Sequence, residues 1–251
     1  TSVEIIITES NSREASPAIP HSKVFEDIFN NMTINQSSYQ DSRNYQQPSI
    51  LYIVEDYTTQ VAALMETLAE WRRKNGYVVT IVDRDQTGSS STSIRNYIED
   101  AYYDWENPPE FVCLVGDANG SYEIPTFSVG GGGGWSGAYG EGDFPYVLIE
   151  GDDLLPDMFI GRMSIRSSTE LATVINKIIG YEKNYSNDDD WLHAAALVGD
   201  PYDSGISTVI TNQYIEQIMD IHGGIDDVRT KYSGSNFDGF MREQINEGVS
   251  F

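Results

Sequence analysis

Three short, unbroken apolar runs separated by helix-period segments constrain this chain more than any other feature. The runs are Ser49 to Glu55 (S-I-L-Y-I-V-E), Tyr77 to Val82 (Y-V-V-T-I-V) and Phe111 to Val115 (F-V-C-L-V). Half-buried strands alternate apolar and polar residues; runs without alternation belong to strands covered on both faces. Between the first two, Val61, Leu64, Met65, Leu68 and Trp71 recur at three- and four-residue intervals, predicting a helix. Arg72, Arg73 and Lys74 followed by Asn75-Gly76 supply its stop. Between the second and third, Ile94, Tyr97, Ile98, Ala101 and Tyr102 predict another. Strand, helix, strand, helix, strand with buried strands means a parallel sheet inside helical layers, a three-layer αβα fold.

The remainder divides around this unit. Residues 1–48 are polar and rich in Asn, Gln and Ser, and read as an extension or linker with one short helix around Val24 to Asn30. Residues 118–157 show little periodicity. Met158 to Ile160 is a short strand, and Leu171, Val174, Ile175, Ile178 and Ile179 mark a helix with Ser168 as its N-cap. The polar run Asn184 to Asp190 is the best internal boundary, so residues 49–184 form a first α/β subdomain. Residues 185–251 begin a second: strand Ala194 to Val198, helix Ile206 to Ile221, strand Val228 to Tyr232 and helix Phe237 to Asn246. Gly248 to Phe251 resembles the opening of a further strand, so the second unit is expected to be incomplete.

Charge and composition exclude several functions. With 39 acidic against 15 basic residues the formal charge is −24, which repels nucleic-acid phosphates and anionic bilayers. No apolar run approaches the ~20 residues that cross a bilayer. A single cysteine, Cys113, removes intrachain disulfides and multi-cysteine metal sites. Gly132, Gly134 and Gly137 fit G-x-G-x-x-G only through glycine density, because no strand precedes and no helix follows them.

Cys113 lies within a strand, with no local charge to generate a thiolate, and reads as packing. His21, His193 and His222 share no ligand spacing and read as surface or capping residues. The acids of the 141–157 stretch (Glu141, Asp143, Glu150, Asp152, Asp153 and Asp157) are interleaved with glycines. They are candidate calcium ligands, since that ion takes about six to eight oxygens. A solvated acidic loop is the plainer alternative. Asp117 and Asp200 each follow a strand and a glycine, where they either cap a loop or line a site at the carboxyl edge.

The ordered set P-S-I-L-Y-I-V, W-R-R-K-N-G-Y-V-V, F-V-C-L-V-G-D-A and D-D-L-L-P-D-M-F-I-G-R-M-S-I-R-S resembles the gingipain family of cysteine peptidases over residues 49–251. The Pro156 to Ser164 block is its most specific part. The resemblance implies a caspase-like fold and a secreted endopeptidase acting on peptide or protein substrates, with a cysteine thiolate, a histidine acid/base and no cofactor needed for the chemistry. The family's histidine sits in Gly-His-Gly after a strand, and its cysteine follows the next strand. Neither pattern occurs here. I-N-E-G-V-S-F is similar to the lead-in, so both residues are expected beyond Phe251, on a remaining catalytic segment that is then a partner of this one. Asp200 falls in the loop that, in the family, helps form the substrate pocket. The alternative is a non-catalytic α/β module binding calcium or a protein partner through its acidic loop.

Overall fold

The computed structural model describes residues 21–32, 45–129, 140–183, 190–202, 206–219, 221 and 224–250. Contacts divide the chain into two units, residues 1–180 and 181–251.

The first unit opens with α1 (Lys23–Met32), then alternates β1 (Ser49–Val54), α2 (Thr59–Lys74), β2 (Val78–Val82), the single turn α3 (Arg84–Thr87), α4 (Ser91–Asp104) and β3 (Phe111–Val115). The hairpin strands β4 (Phe127–Val129) and β5 (Gly140–Gly142), a 3-10 turn at Phe144–Val147, β6 (Phe159–Met163) and α5 (Ser168–Lys183) follow. Four strands form one parallel sheet in the order β2-β1-β3-β6. Successive side chains point to opposite faces, and β1 shows the consequence. Leu51 and Ile53 join Ile94 and Ile98 of α4 with Tyr146, Val147 and Met158 on one side. Ile50, Tyr52 and Val54 join Val61, Met65 and Leu68 of α2 with Leu171 and Ile175 of α5 on the other. Both faces are therefore covered, as the unbroken apolar runs require.

Local chemistry sets the boundaries. Thr58 caps α2 through its hydroxyl, and Ser90 caps α4 in a reciprocal box with Ser93. The cap of α5 differs from the sequence expectation. Ser167, not Ser168, accepts the Glu170 amide at 3.2 Å, while the Glu170 carboxylate takes the Arg166 amide at 2.6 Å. β6 runs to Met163, past Ile160, because Leu114 and Val115 of β3 offer it partners. The hairpin β4–β5 lies in the stretch read as irregular. Part of the polar extension is tied down: Phe25 of α1 packs tilted against Phe159, ring centroids 4.6 Å apart, and the Asn107 side chain both accepts the Gln47 amide at 3.1 Å and donates to the Gln47 carbonyl at 3.0 Å.

In the second unit β7 (Ala194–Val198) and β8 (Asp227–Lys231) pair in parallel, with α6 (Ile206–Ile218) between them in sequence and α7 (Phe237–Glu247) after them. Consecutive strand carbonyls point to opposite edges. The His193 carbonyl takes the Asp226 amide on the β8 side, and the Ala194 carbonyl takes the Ser250 amide at 2.9 Å on the other. The chain after α7 thus returns to the free edge of β7. The outer face of α6 carries Ile206, Ile210, Tyr214 and Ile218, all exposed at four-residue steps. The glycine-rich pseudo-motif at residues 132–137 and His222 lie outside the described residues.

Gly116, at the end of β3, has no room for a side chain. A Cβ there would stand 2.2 Å from the Tyr122 carbonyl oxygen and 2.9 Å from Ile124 Cγ1. Gly116→Ala is expected to cost about 1–3 kcal/mol in denaturant unfolding. Gly161→Ala, where the same atom meets nothing within 4 Å, is expected to cost distinctly less.

Candidate functional site

Open parallel sheets bind ligands where their strands end at the carboxyl edge, beside the point at which strand order reverses. Here the reversal lies between β1 and β3. Glu55 and Asp56 follow β1, Asp83, Arg84 and Asp85 follow β2, and with Ser89 they line an open cavity of about 470 Å³. Arg84 reaches Glu55 at 3.3 Å and the Glu123 carbonyl at 3.4 Å.

Asp117, past β3, accepts the Ala118 amide at 2.8 Å on one oxygen and the Arg166 guanidinium on the other. That ion pair, helped by the amide, holds the carboxyl below its ordinary range. A lowered folded-state value stabilises the fold above the ordinary carboxylate range, and the contribution is lost as pH falls through the lowered value. Arg166 is largely exposed, so solvent screens the pair. Arg166→Gln is expected to lower the melting temperature slightly at neutral pH, with the difference from the wild type vanishing at low pH, so that the acid limb of the profile is a little flatter.

The strongest polar junction at this edge is built by Arg162 of β6. Its Nε and Nη2 donate to the two Asp143 oxygens at 2.8 and 2.6 Å, and Nη1 donates to the Gly116 and Ile124 carbonyls at 2.9 and 2.8 Å. One guanidinium fork therefore joins β6, the loop after β3 and the loop after β5. The G-R-x-S block marked Arg162 as characteristic without disclosing this role. The signal was an arginine inside an otherwise apolar strand, a residue type rarely buried unless paired.

The six acids proposed for calcium are largely engaged otherwise. Asp143 is held by Arg162. Asp157 Oδ2 accepts the Ile149 and Glu150 amides, each at 2.8 Å, and Asp153 accepts the Leu155 amide at 2.9 Å. Asp152 is exposed, and the Glu141 side chain lies outside the described residues. Among the described residues no group of three or more His, Cys, Asp or Glu side chains is arranged to hold a metal ion.

Cys113 faces the α2–α5 side of the sheet beside a mostly apolar cavity of about 390 Å³ lined by Tyr52, Arg72, Tyr77, Phe111 and Phe159. Burial pushes its thiol up to about 12; the nearby Arg72 and Arg162 charges only partly oppose this. That shift disfavours the thiolate, the form a nucleophilic cysteine uses. His193 is spent on structure: its Nδ1 lies 2.7 Å from the Gly224 carbonyl, which can only accept, so the ring donates. Asp200 Oδ1 takes the Tyr202 amide at 2.8 Å, turning the loop after β7.

These features define an αβα domain with a parallel core and a polar carboxyl edge. The model of peptidase family C25 matches residues 43–251, and the chain belongs to that family. Gingipain R2 of Porphyromonas gingivalis strain W83 is 25% identical over 209 residues, covering 79% of this chain and 26% of that protein. Lys-gingipain of strain ATCC 33277 is 29% identical over 136 residues, covering 51% of this chain and 7% of that protein. The crystal structure of the Arg-specific cysteine proteinase gingipain R shares the fold at TM-score 0.67 and 23% identity, over 82% of this chain and 45% of that one. A complex of the pro- and mature domains of RgpB matches equally, at TM-score 0.67 and 23% identity over 80% and 46%. The chain thus spans about a quarter of gingipain R2. Among the described residues no helix is long and apolar enough to cross a membrane.

Proposed function

We propose that this chain supplies the scaffold portion of the catalytic domain of a secreted cysteine endopeptidase, whose thiolate and histidine come from residues outside it. The observation that carries the reading is the state of Cys113. In a family of cysteine peptidases, the only thiol of this chain sits on a central strand with its pKa pushed up to about 12. Cysteine-peptidase chemistry needs a thiolate, a proton-transferring imidazole and oxyanion donors within hydrogen-bond reach of one another. The Ser250–Ala194 hydrogen bond supports the second half of the proposal. It brings the segment after α7 back to the edge of β7 that β8 leaves free, at the start of the strand whose carboxyl end carries the Asp200 loop. Asp200 is in this reading a loop-forming residue at the rim of the substrate pocket.

The reading also gives the exposed face of α6 a purpose, since four large apolar side chains in register are characteristic of a surface that is normally covered. Peptide or protein is the substrate class, and the thiolate chemistry needs no cofactor. Calcium is a proposal for the 141–157 loop alone. With Asp143 and Asp157 already committed, it would be held by a rearranged loop, and a chelator that leaves the melting temperature unmoved removes it.

The test is hydrolysis of a mixed fluorogenic peptide library by the 251-residue chain and by the complete protein. The proposal expects thiol-dependent cleavage by the complete protein and none by the chain. Cleavage by the chain alone contradicts the division of labour, and inactivity of the complete protein under reducing conditions favours a non-catalytic module.

A further inference from the structure

Leu154 and Leu155 are 78% and 71% exposed, side by side in the loop that leads into β6. The loop does not offer them a retreat. Its base is closed by the two amides held on Asp157 and by the Asp157 amide, which donates to the Val147 carbonyl at 2.9 Å. Ile149 and Met158 on either side are buried in the core. At the tip, Gly151 turns the chain at φ +81°, and Asp153 holds the Leu155 amide. Two leucines are thus presented to solvent from a preformed loop rather than left over from loose packing.

Their neighbours in sequence are acidic. Glu150, Asp152, Asp153 and Asp157 flank them, and residues 149–161 contain no lysine or arginine. Arg95, which donates to the Leu148 carbonyl just before the loop, is engaged as well with the Pro145 carbonyl and Glu99. The loop precedes β6 and so sits at the amino edge of the sheet, at the opposite strand ends from Asp117 and the Arg84 cavity.

We propose that this loop is a protein-docking element, and that its occupant is an apolar pocket rimmed by lysine or arginine side chains. Charge chooses the occupant. A second copy of this chain would bring the same acids and a further −24 to the contact, and an anionic bilayer would repel it equally. A basic rim around a leucine-sized pocket satisfies both parts of the tip. The inference stands apart from the peptidase reading, since it draws on no catalytic residue.

The test uses the full 251-residue chain and an immobilised synthetic amphipathic helix of leucine and lysine as the probe. Leu154→Ser/Leu155→Ser keeps every charge and removes only the apolar tip; both sites are exposed, so the melting temperature serves as a control for folding. The proposal expects this variant to bind about tenfold more weakly than the wild type. It expects Asp152→Asn/Asp153→Asn to bind severalfold more weakly and with a shallower salt dependence. Equal binding by the leucine variant overturns the proposal, because overall acidity then accounts for attraction to the probe. Leucine-dependent binding to neutral phosphatidylcholine vesicles that the peptide does not displace overturns it in favour of a lipid surface.

Discussion

Arg162→Ala is expected to lower the melting temperature of the first unit by roughly 6–20 °C, the largest effect of any single substitution considered for this chain. The side chains of Arg162 and Asp143 are only 11% and 20% exposed, so removing the guanidinium leaves a carboxylate sheltered from water with no counter-charge. Breaking one partner of such a pair costs about 3–5 kcal/mol, and in a domain of this size each kcal/mol moves the midpoint by about 2–4 °C. The Gly116 and Ile124 carbonyls lose their donors as well. Arg162→Lys keeps the charge but not the fork, and is expected to recover only part of the loss. Arg162→Met combined with Asp143→Leu is expected to be less destabilised than Arg162→Ala alone, since no buried charge is then stranded. If Arg162→Ala melts within about 2 °C of the wild type, less than 1 kcal/mol is at stake and the junction is not what holds these loops.

The second large effect concerns the thiol. With its pKa raised from 9.0 to about 12, Cys113 carries about a thousandfold less thiolate at neutral pH than an unshifted cysteine. Alkylation by iodoacetamide is therefore expected to be slower by about that factor in the folded chain than after unfolding in guanidinium, with cavity access slowing it further. Cys113→Ser places a hydroxyl beside Tyr52, Phe111 and Met163, and its effect is expected in stability.

The sheet was legible in the sequence because its chemistry is local. A strand buried on both faces must read as an apolar run, and β1 and β3 do; β2 reads the same way but lies at the edge of the sheet and is only half-buried. The four-residue stripes of α2, α4 and α5 follow from the same burial. Less was legible where partners are distant in sequence. Nothing near Asp143 shows that its counter-charge is Arg162, 19 positions on in another element, so its acidity looks like the raw material of a metal site. Asp157 is the same case: its partners are main-chain amides, which leave no compositional trace. The hairpin β4–β5 was missed because three-residue strands, one of them Gly-Glu-Gly, carry no periodicity. Cys113 reads as packing because a strand interior without basic neighbours in sequence supplies nothing to ionise it; Arg72 and Arg162 approach it only in the fold, where burial outweighs them.

The central claim, that this C25-family chain is scaffold and its one cysteine is not the nucleophile, is tested most directly by titrating the complete protein with iodoacetamide under native, reducing conditions. Peptidase activity and the modified cysteine are followed together, by hydrolysis and by peptide mass mapping. The account predicts that activity falls in proportion to label on a cysteine outside residues 1–251, while Cys113 stays unmodified until the protein is unfolded. Label accumulating on Cys113 in step with lost activity would contradict it.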